Sequence, residues 1–223
     1  MTADGNLLKL VIFDCDGVLF DSREANRTYY NHLLEQFDCP PMTEDEVDYV
    51  HVHSVMDSVT HIFRKHQTIE KEIVERYRTE LDYSPFLKYM IMEPDLMDFL
   101  KLIKPRYHTA ISTNRTTTMP MILDIFKLLP WFEQVVTALD TPRPKPAPDG
   151  LEMILDNFGL KVDEAIYIGD SEVDREHTRS LGMELIAFKN PTLQAEYHVD
   201  NFMAITRLKP FNPLQRETDD PPY

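Results

Sequence analysis

The sequence predicts an α/β fold in which parallel strands alternate with helices and a purely helical block is inserted behind the first strand. Three observations carry that expectation. An apolar run from Leu7 to Phe13, interrupted by Lys9 alone, has the near-continuous hydrophobicity of a strand buried on both faces. From Ser84-Pro85 onward, short helical periodicities alternate with apolar strands. Between the two lie about seventy residues whose apolar positions recur at three- and four-residue intervals, too many for a loop.

At 223 residues the chain can bury one sizeable core and a smaller appended unit. Its 38 acidic against 23 basic residues leave a formal net charge of -15, which argues against nucleic acid or an anionic membrane as partner and suits a cation. No apolar run is long enough to span a bilayer, and the first residues lack the basic and apolar regions of a signal peptide, so a cytoplasmic protein is expected. Cys15 and Cys39 belong to no Cys/His cluster and read as reduced thiols. Two flanking carboxylates disfavour a Cys15 thiolate.

Taken in order, the first strand ends in Asp14-Cys15-Asp16-Gly17, two carboxylates at the mouth of a packed core. Ser22 is placed to cap a helix carrying Tyr30, Leu33, Leu34 and Phe37, which Cys39-Pro40-Pro41 stops. One helical stretch follows over Glu44 to His66, with Val47, Val55, Val59, Ile62 and Phe63, and another over Glu70 to Leu81. His51, His53, His61 and His66 lack metal-ligand spacing and read as solvated polar positions. Pro94 opens a helix with Leu96, Phe99, Leu100 and Ile103 inward. A strand over Tyr107 to Ile111 then runs into Ser112-Thr113-Asn114-Arg115. The next helix passes through Ile122, Ile125 and Leu129, and Gln134 to Thr137 form a short strand. Pro142, Pro144, Pro146 and Pro148 should hold an extended segment from which Lys145 projects. A helix over Leu151 to Phe158 ends at Gly159, and the strand Ala165 to Ile168 leads into Gly169-Asp170-Ser171-Glu172-Val173-Asp174. Glu184 to Phe188 should be the last core strand, Phe202 to Leu208 a closing helix, and Pro210 to Tyr223 a mobile tail or surface strap.

Four strand or loop endings therefore carry Asp14 with Asp16, Ser112 with Thr113, Lys145, and Asp170 with Asp174. In a parallel sheet such endings share one edge, so residues a hundred positions apart converge. The set suits phosphoryl transfer, which needs a nucleophile, positive charge and donors for the phosphoryl oxygens, and a proton for the leaving group.

With these four motifs in this order, the sequence resembles the haloacid dehalogenase superfamily, in its phosphoglycolate phosphatase and β-phosphoglucomutase-like branch. The resemblance implies a Rossmann-like core with a five-stranded parallel sheet, the first strand central, over residues 1–20 and 92–208. It implies an α-helical cap over residues 21–91 and leaves residues 209–223 as a tail. It implies a phosphatase for small phosphorylated metabolites, acting with Mg2+ as a monomer or weak homodimer. Asp14 is then the nucleophile and Asp16 the general acid, a role that favours a pKa raised by burial or neighbouring negative charge. The magnesium would be held by the Asp14 carboxylate, the Asp16 main-chain carbonyl and Asp170. Asp174 would orient a bound water or Lys145, and Lys145 would pair with Asp14 and a phosphoryl oxygen. Adjacent strand residues point oppositely, so only one of Ser112 and Thr113 can face the phosphoryl group, and Thr113 is expected to donate to it because the position immediately before Asn114 matches the family's motif better. Asn114 and Arg115 follow it within reach of substrate, with Arg115 equally placed to be a surface cation. A sugar-phosphate mutase of the same fold and a binding protein without activity are the alternatives.

Overall fold

The computed structural model describes residues 8–66 and 68–211. Its organising element is β1 (Leu10–Phe13), every residue of which is buried. Val11 and Phe13 face one core, where Phe13 meets the rings of Phe99, Phe132 and Phe202, whereas Leu10 and Ile12 face a second core with Tyr167, Leu151 and Ile154. This alternation across a strand covered on both sides explains the unbroken apolar run.

Around β1 the chain lays down β4 (His108–Ser112), β5 (Gln134–Val136), β6 (Ala165–Gly169), β7 (Glu184–Phe188) and β8 (Tyr197–Val199). They form one parallel sheet in the order β5-β4-β1-β6-β7-β8, with Phe13 level with Ile111 on one side and Ile168 on the other. The sheet has six strands rather than the five expected. β8 is a three-residue edge strand, too short for its alternation to register in the sequence. Helices α5 (Leu96–Ile103), α6 (Met119–Ile125), α7 (Asp149–Phe158), α8 (Glu172–Arg179) and α9 (Phe202–Ile205) supply the crossovers and the closing turn. Helix α6 stops before Leu129; Lys127 takes a left-handed φ of 57°, and Ile125 and Leu129 are exposed. Phe211, the last described residue, is buried against Phe99 and Tyr107. The rest of the expected tail, residues 212–223, lies outside the described residues.

The helical block leaves and rejoins the sheet through a two-strand antiparallel pair, β2 (Phe20–Asp21) with β3 (Ile91–Met92). It consists of α1 (Arg23–Glu35), α2 (Glu44–Val52), α3 (Val55–Ile62), α4 (Lys71–Glu80) and a tight turn over Ser84–Tyr89. The single helix expected over Glu44 to His66 is broken in two. Ser54 adopts ψ 155° and its hydroxyl accepts from the Asp57 N–H at 3.2 Å, starting α3 anew. Ser22 makes no capping bond to α1, because its hydroxyl donates to Asp16.

The proline segment is not extended. It turns between Pro144 and Ala147, whose N–H donates to the Pro144 carbonyl at 3.0 Å, and Pro148 at ψ -12° leads directly into α7. Proline fixes φ but leaves ψ free, so repeated prolines permit a turn as readily as an extended run. Among the described residues no helix is long and apolar enough to cross a membrane.

Candidate active site

The carboxyl ends of β1, β4 and β6 and the loop after β5 meet at one edge of the sheet. Lys145, 9 % exposed, reaches back from its turn to the end of β1. Its Nζ lies 2.8 Å from Asp14 Oδ1 and 2.7 Å from Asp174 Oδ1, and donates to the Tyr167 hydroxyl at 3.0 Å. Tyr167 in turn donates to the Ser112 carbonyl at 2.8 Å. Asp174, fully buried, spends its other oxygen on the backbone N–H groups of Asp170 and Ser171 and on the Ser171 hydroxyl. Tyr167 and Asp174 are thus tied to the sheet edge and Asp14 stands at the end of β1, which makes Lys145 a fixed charge.

Asp14, Asp170 and Asp174 bring carboxylate oxygens within 4.8 Å of one another. Burial pushes the Asp14 carboxyl up to about 7, helped by the charge of Asp174 and opposed by Lys145. Burial, with Asp174 and Asp14, holds Asp170 well above the ordinary carboxylate range. Asp174 sits below that range, because Lys145 and Ser171 outweigh its burial. With all three ionised, the carboxylates would outweigh the one ammonium and give this corner excess negative charge, and the donors are hard oxygens on a sheet edge. That set fits a small divalent cation such as magnesium. Gly17, with φ 75°, lets Asp170 press against the backbone of the first loop; a Cβ there would run into its carboxylate.

Asp16 is oriented differently. Its side chain is outside the carboxylate cluster and pairs with Arg115 Nη2 at 2.6 Å, while also accepting from Ser22. Burial alone would raise its pKa, but the Arg115 charge and hydrogen bond, with Ser22, carry it below the usual carboxylate range. The expectation of a raised pKa is therefore corrected: buried Arg115, invisible as a partner in the sequence, stabilises the ionised form. Arg115 is only 8 % exposed and leans on Tyr83, so it is not a surface cation.

Ser112 is also corrected. Its hydroxyl faces the second core, 3.1 Å from His177 Nε2 and close to Gly150, and does not face the cleft. Thr113 is buried beside it, and its hydroxyl accepts from the Arg115 N–H at 3.2 Å. Asn114 lines the cleft, donating from Nδ2 to the Lys145 carbonyl at 3.2 Å and leaving a buried Oδ1 without a partner. Cys15 is buried, and that burial, with Asp16, raises its thiol well above normal, in keeping with a packing role.

A cavity of about 90 Å³ lies between these groups and the helical block, whose side of the wall includes Asn26, Tyr29, Arg78 and Tyr83. His51 enters it too, 3.5 Å from Asn26, and burial holds the ring below its ordinary pKa despite Asp16. The solvated role expected for His51 is thus corrected. A short helix ending at Val52 turns this residue inward, which periodicity averaged over a longer helix concealed. Arg23 and Arg27 stay outside, bound to Glu44 and Asp48.

Two participants were missed in the sequence. Tyr167 was legible in principle, since a tyrosine in the aliphatic strand Ala165–Gly169 needs a partner for its hydroxyl. His177, fully buried, donates from Nδ1 to the Ala147 carbonyl and, as a neutral ring, accepts at Nε2 from the Ser112 hydroxyl, tying β4 to the lysine loop. It gave no sequence signal, because α8 is otherwise strongly polar.

The sequence profile of the haloacid dehalogenase-like hydrolases matches residues 11–188. A crystal structure of a hydrolase of that superfamily, subfamily IA, variant 1, from Geobacter sulfurreducens is 33 % identical with TM-score 0.78, over 90 % of this chain and 98 % of that one. The pyrophosphatase PpaX of Bacillus pumilus is 24 % identical over 170 residues, 75 % of this chain and 76 % of its own length. The phosphoglycolate phosphatase of Aliivibrio fischeri is 23 % identical over 189 residues, 81 % and 83 % respectively. A β-phosphoglucomutase structure from Clostridium difficile shares the fold, with TM-score 0.78 at 17 % identity, covering 94 % of this chain and 96 % of that one.

Proposed function

The chain belongs to the haloacid dehalogenase-like hydrolase family, and we propose that it is a magnesium-dependent phosphatase that hydrolyses small organic phosphomonoesters through a phosphorylated Asp14. The observation that carries this reading is the buried Lys145 ammonium, 2.8 Å from Asp14 and 2.7 Å from Asp174, with Asp170 completing the carboxylate corner.

An Asp14 oxygen attacks phosphorus, the ester P–O bond breaks, and the alkoxide departs with a proton; water then cleaves the acyl phosphate and restores the carboxylate. Attack needs Asp14 ionised. Lys145 opposes the upward push of burial and offers the same charge to a phosphoryl oxygen. Magnesium would be held by Asp14 and Asp170, with the Asp16 main-chain carbonyl as the family resemblance implies, and would supply further positive charge for the phosphoryl group and for Asp14. Asp174 keeps Lys145 aimed. In this reading Thr113 donates its hydroxyl to a phosphoryl oxygen, and Asn114 donates the amide N–H that its bond to the Lys145 carbonyl leaves over.

Asp16 is the proton donor in this reading, but as it lies it is an ionised partner of Arg115. It has to part from Arg115 before it protonates a leaving oxygen. Residues 21–91 act as a cap that selects what is attached to the phosphorus, over a core assigned to residues 1–20 and 92–208, of which residues 1–7 lie outside the described residues. The names of the relatives point to phosphoglycolate and pyrophosphate as first compounds to try, and a small cytoplasmic metabolite is the expected class.

The test is release of phosphate from a panel of small phosphate esters, with and without magnesium, by the whole chain. Metal-dependent turnover, together with a trapped phosphoryl group on Asp14 by mass spectrometry, supports the reading. Turnover of the whole panel at full rate in chelator would reject its metal requirement.

A further inference from the structure

We infer that His177 is a positioning residue for Lys145: by holding the Ala147 carbonyl from behind, it keeps the lysine turn forward, so that the ammonium stands where Asp14 and a phosphoryl oxygen share it. This rests on the hydrolase reading above and adds to it a residue that touches neither substrate nor metal.

A lysine carries its charge on a flexible stem, so contacts at the tip do not by themselves fix where the ammonium stands along the cleft wall. Of the three groups that hold Nζ, Asp174 and Tyr167 are fully buried, and only Asp14 borders the cavity. With the tip alone to hold it, the two deeper partners would draw the ammonium inward, away from the nucleophile. The backbone prevents this. Lys145 lies inside the turn that the Ala147 N–H closes on the Pro144 carbonyl. That turn is pinned at two further carbonyls, the Lys145 carbonyl by Asn114 Nδ2 at 3.2 Å and the Ala147 carbonyl by His177 Nδ1 at 2.6 Å.

The ring of His177 has the protonation that this bond requires. Burial, and then the Lys145 charge, lower its pKa to about 4, so at neutral pH one nitrogen carries a proton and the other does not. A carbonyl can only accept, so Nδ1 is the donor to Ala147, and Nε2 accepts from the Ser112 hydroxyl at 3.1 Å. Ser112 ends β4, and the bond to Ala147 is thereby anchored on the sheet. His177 also backs a second support of the lysine, since its ring meets that of Tyr167 at 84° with centroids 5.7 Å apart.

Room for the pair is left by Gly150 in the first turn of α7. A Cβ there would stand 3.0 Å from Ser112 Oγ and 3.8 Å from His177 Cε1. Both residues are costly choices for packing alone, a glycine inside a helix and a polar ring in a fully buried position. An apolar side chain at position 177 would fill the same space, but it would leave the Ala147 carbonyl unheld. What the histidine adds over such a residue is a fixed lysine turn.

Two amides separate the bond from the packing. Asparagine puts its amide nitrogen near the place of Nδ1, and glutamine near that of Nε2, so His177→Asn keeps the bond to Ala147 and His177→Gln loses it. With the whole chain, magnesium and para-nitrophenyl phosphate, kcat is expected to fall at least about tenfold in His177→Gln and to stay within about threefold of wild type in His177→Asn. Equal kcat in the two variants, high or low, overturns the inference. A readout free of turnover is the NMR signal of the Lys145 ammonium, assigned by its absence in Lys145→Ala. A held ammonium exchanges its protons slowly, so the signal should be present in wild type and His177→Asn and lost in His177→Gln; its survival in the glutamine variant overturns the inference. If that variant does not fold, wild type carries the test, because NMR of the ring nitrogens at neutral pH reads which of them bears the proton. A proton on Nδ1 supports the bond to Ala147, and one on Nε2 breaks it and the inference with it. Failure of wild type to hydrolyse any ester would reject the hydrolase reading, and the ammonium signal would still decide the role of His177.

Discussion

The cleft buries one cation at each end, Lys145 at the sheet edge and Arg115 where the sheet meets the helical block. Lys145 has two carboxylates and a tyrosine hydroxyl within 3.0 Å, each of them anchored to a strand end or a helix cap. Arg115 has one carboxylate, two distant hydroxyls and an unfilled Nε. The first arrangement is over-determined and suits a charge that must not move during chemistry. The second has slack, and slack is what a group needs if it is to exchange partners. Two neighbouring aspartates record the difference: burial raises Asp14 to about 7, whereas Arg115 carries Asp16 below its ordinary range despite burial.

Substitutions test this contrast, beginning with the largest effect. Asp14→Asn should reduce turnover by about 10⁴-fold or more while the fold survives, since an amide cannot be the nucleophile. Wild-type rates in that variant would reject the covalent mechanism. Lys145→Ala leaves Asp14 and Asp174 facing each other in a buried site. A loss of about 3–5 kcal/mol in chemical denaturation is expected, with kcat/KM falling as well. An unchanged kcat/KM would reduce the lysine to part of a proline-rich spacer. Arg115→Met should cost less stability than Lys145→Ala, because it strands one carboxylate that keeps Ser22 and borders the cavity; an equal cost would erase the contrast between the two ends.

A pH series probes the wall behind Lys145. Burial, and then the Lys145 charge, lower the His177 pKa from 6.5 to about 4, so the folded state keeps the ring neutral where the unfolded chain protonates it. Its contribution is complete above pH 6.5 and lost as pH falls toward 4, a loss on the order of 3 kcal/mol. Asp14 acts with the opposite sign: its raised pKa lets folded protein keep a proton that the unfolded chain has lost, so without metal stability falls as pH rises from 3.8 toward 7. The difference between wild type and His177→Asn isolates the histidine, and should shrink toward pH 4. Smallest of all, Tyr167→Phe removes the hydroxyl between Lys145 and the Ser112 carbonyl. About 1 kcal/mol of stability is expected to go, with a modest drop in kcat, and a larger effect on KM than on kcat would argue against its holding the lysine.

The legible part of the site was its chemistry-bearing backbone positions. Asp14, Thr113, Lys145, Asp170 and Asp174 were identifiable because each follows an apolar strand or belongs to a recognisable loop, and parallel strands bring such endings to one edge. Ser112 beside Thr113 was ambiguous until the strand direction was known, since a shift of one residue exchanges core and cleft. Helix α2 posed the same problem for His51: only the break at Ser54 reveals which way it faces.

By itself the sequence determined which strands are buried, where the helical block enters, and which carboxylates and lysine stand at the strand ends, because these follow from hydrophobic period and local turn chemistry. Only the tertiary structure decided the partners: Arg115 with Asp16, Tyr167 with Lys145, His177 between Ser112 and Ala147, and the edge strand β8. The physical reason is that a charge's pKa and role depend on groups within a few ångströms, and here those groups come from far along the chain: Arg115 stands 99 positions from Asp16, and Asp14 draws Lys145 and Asp174 from farther still.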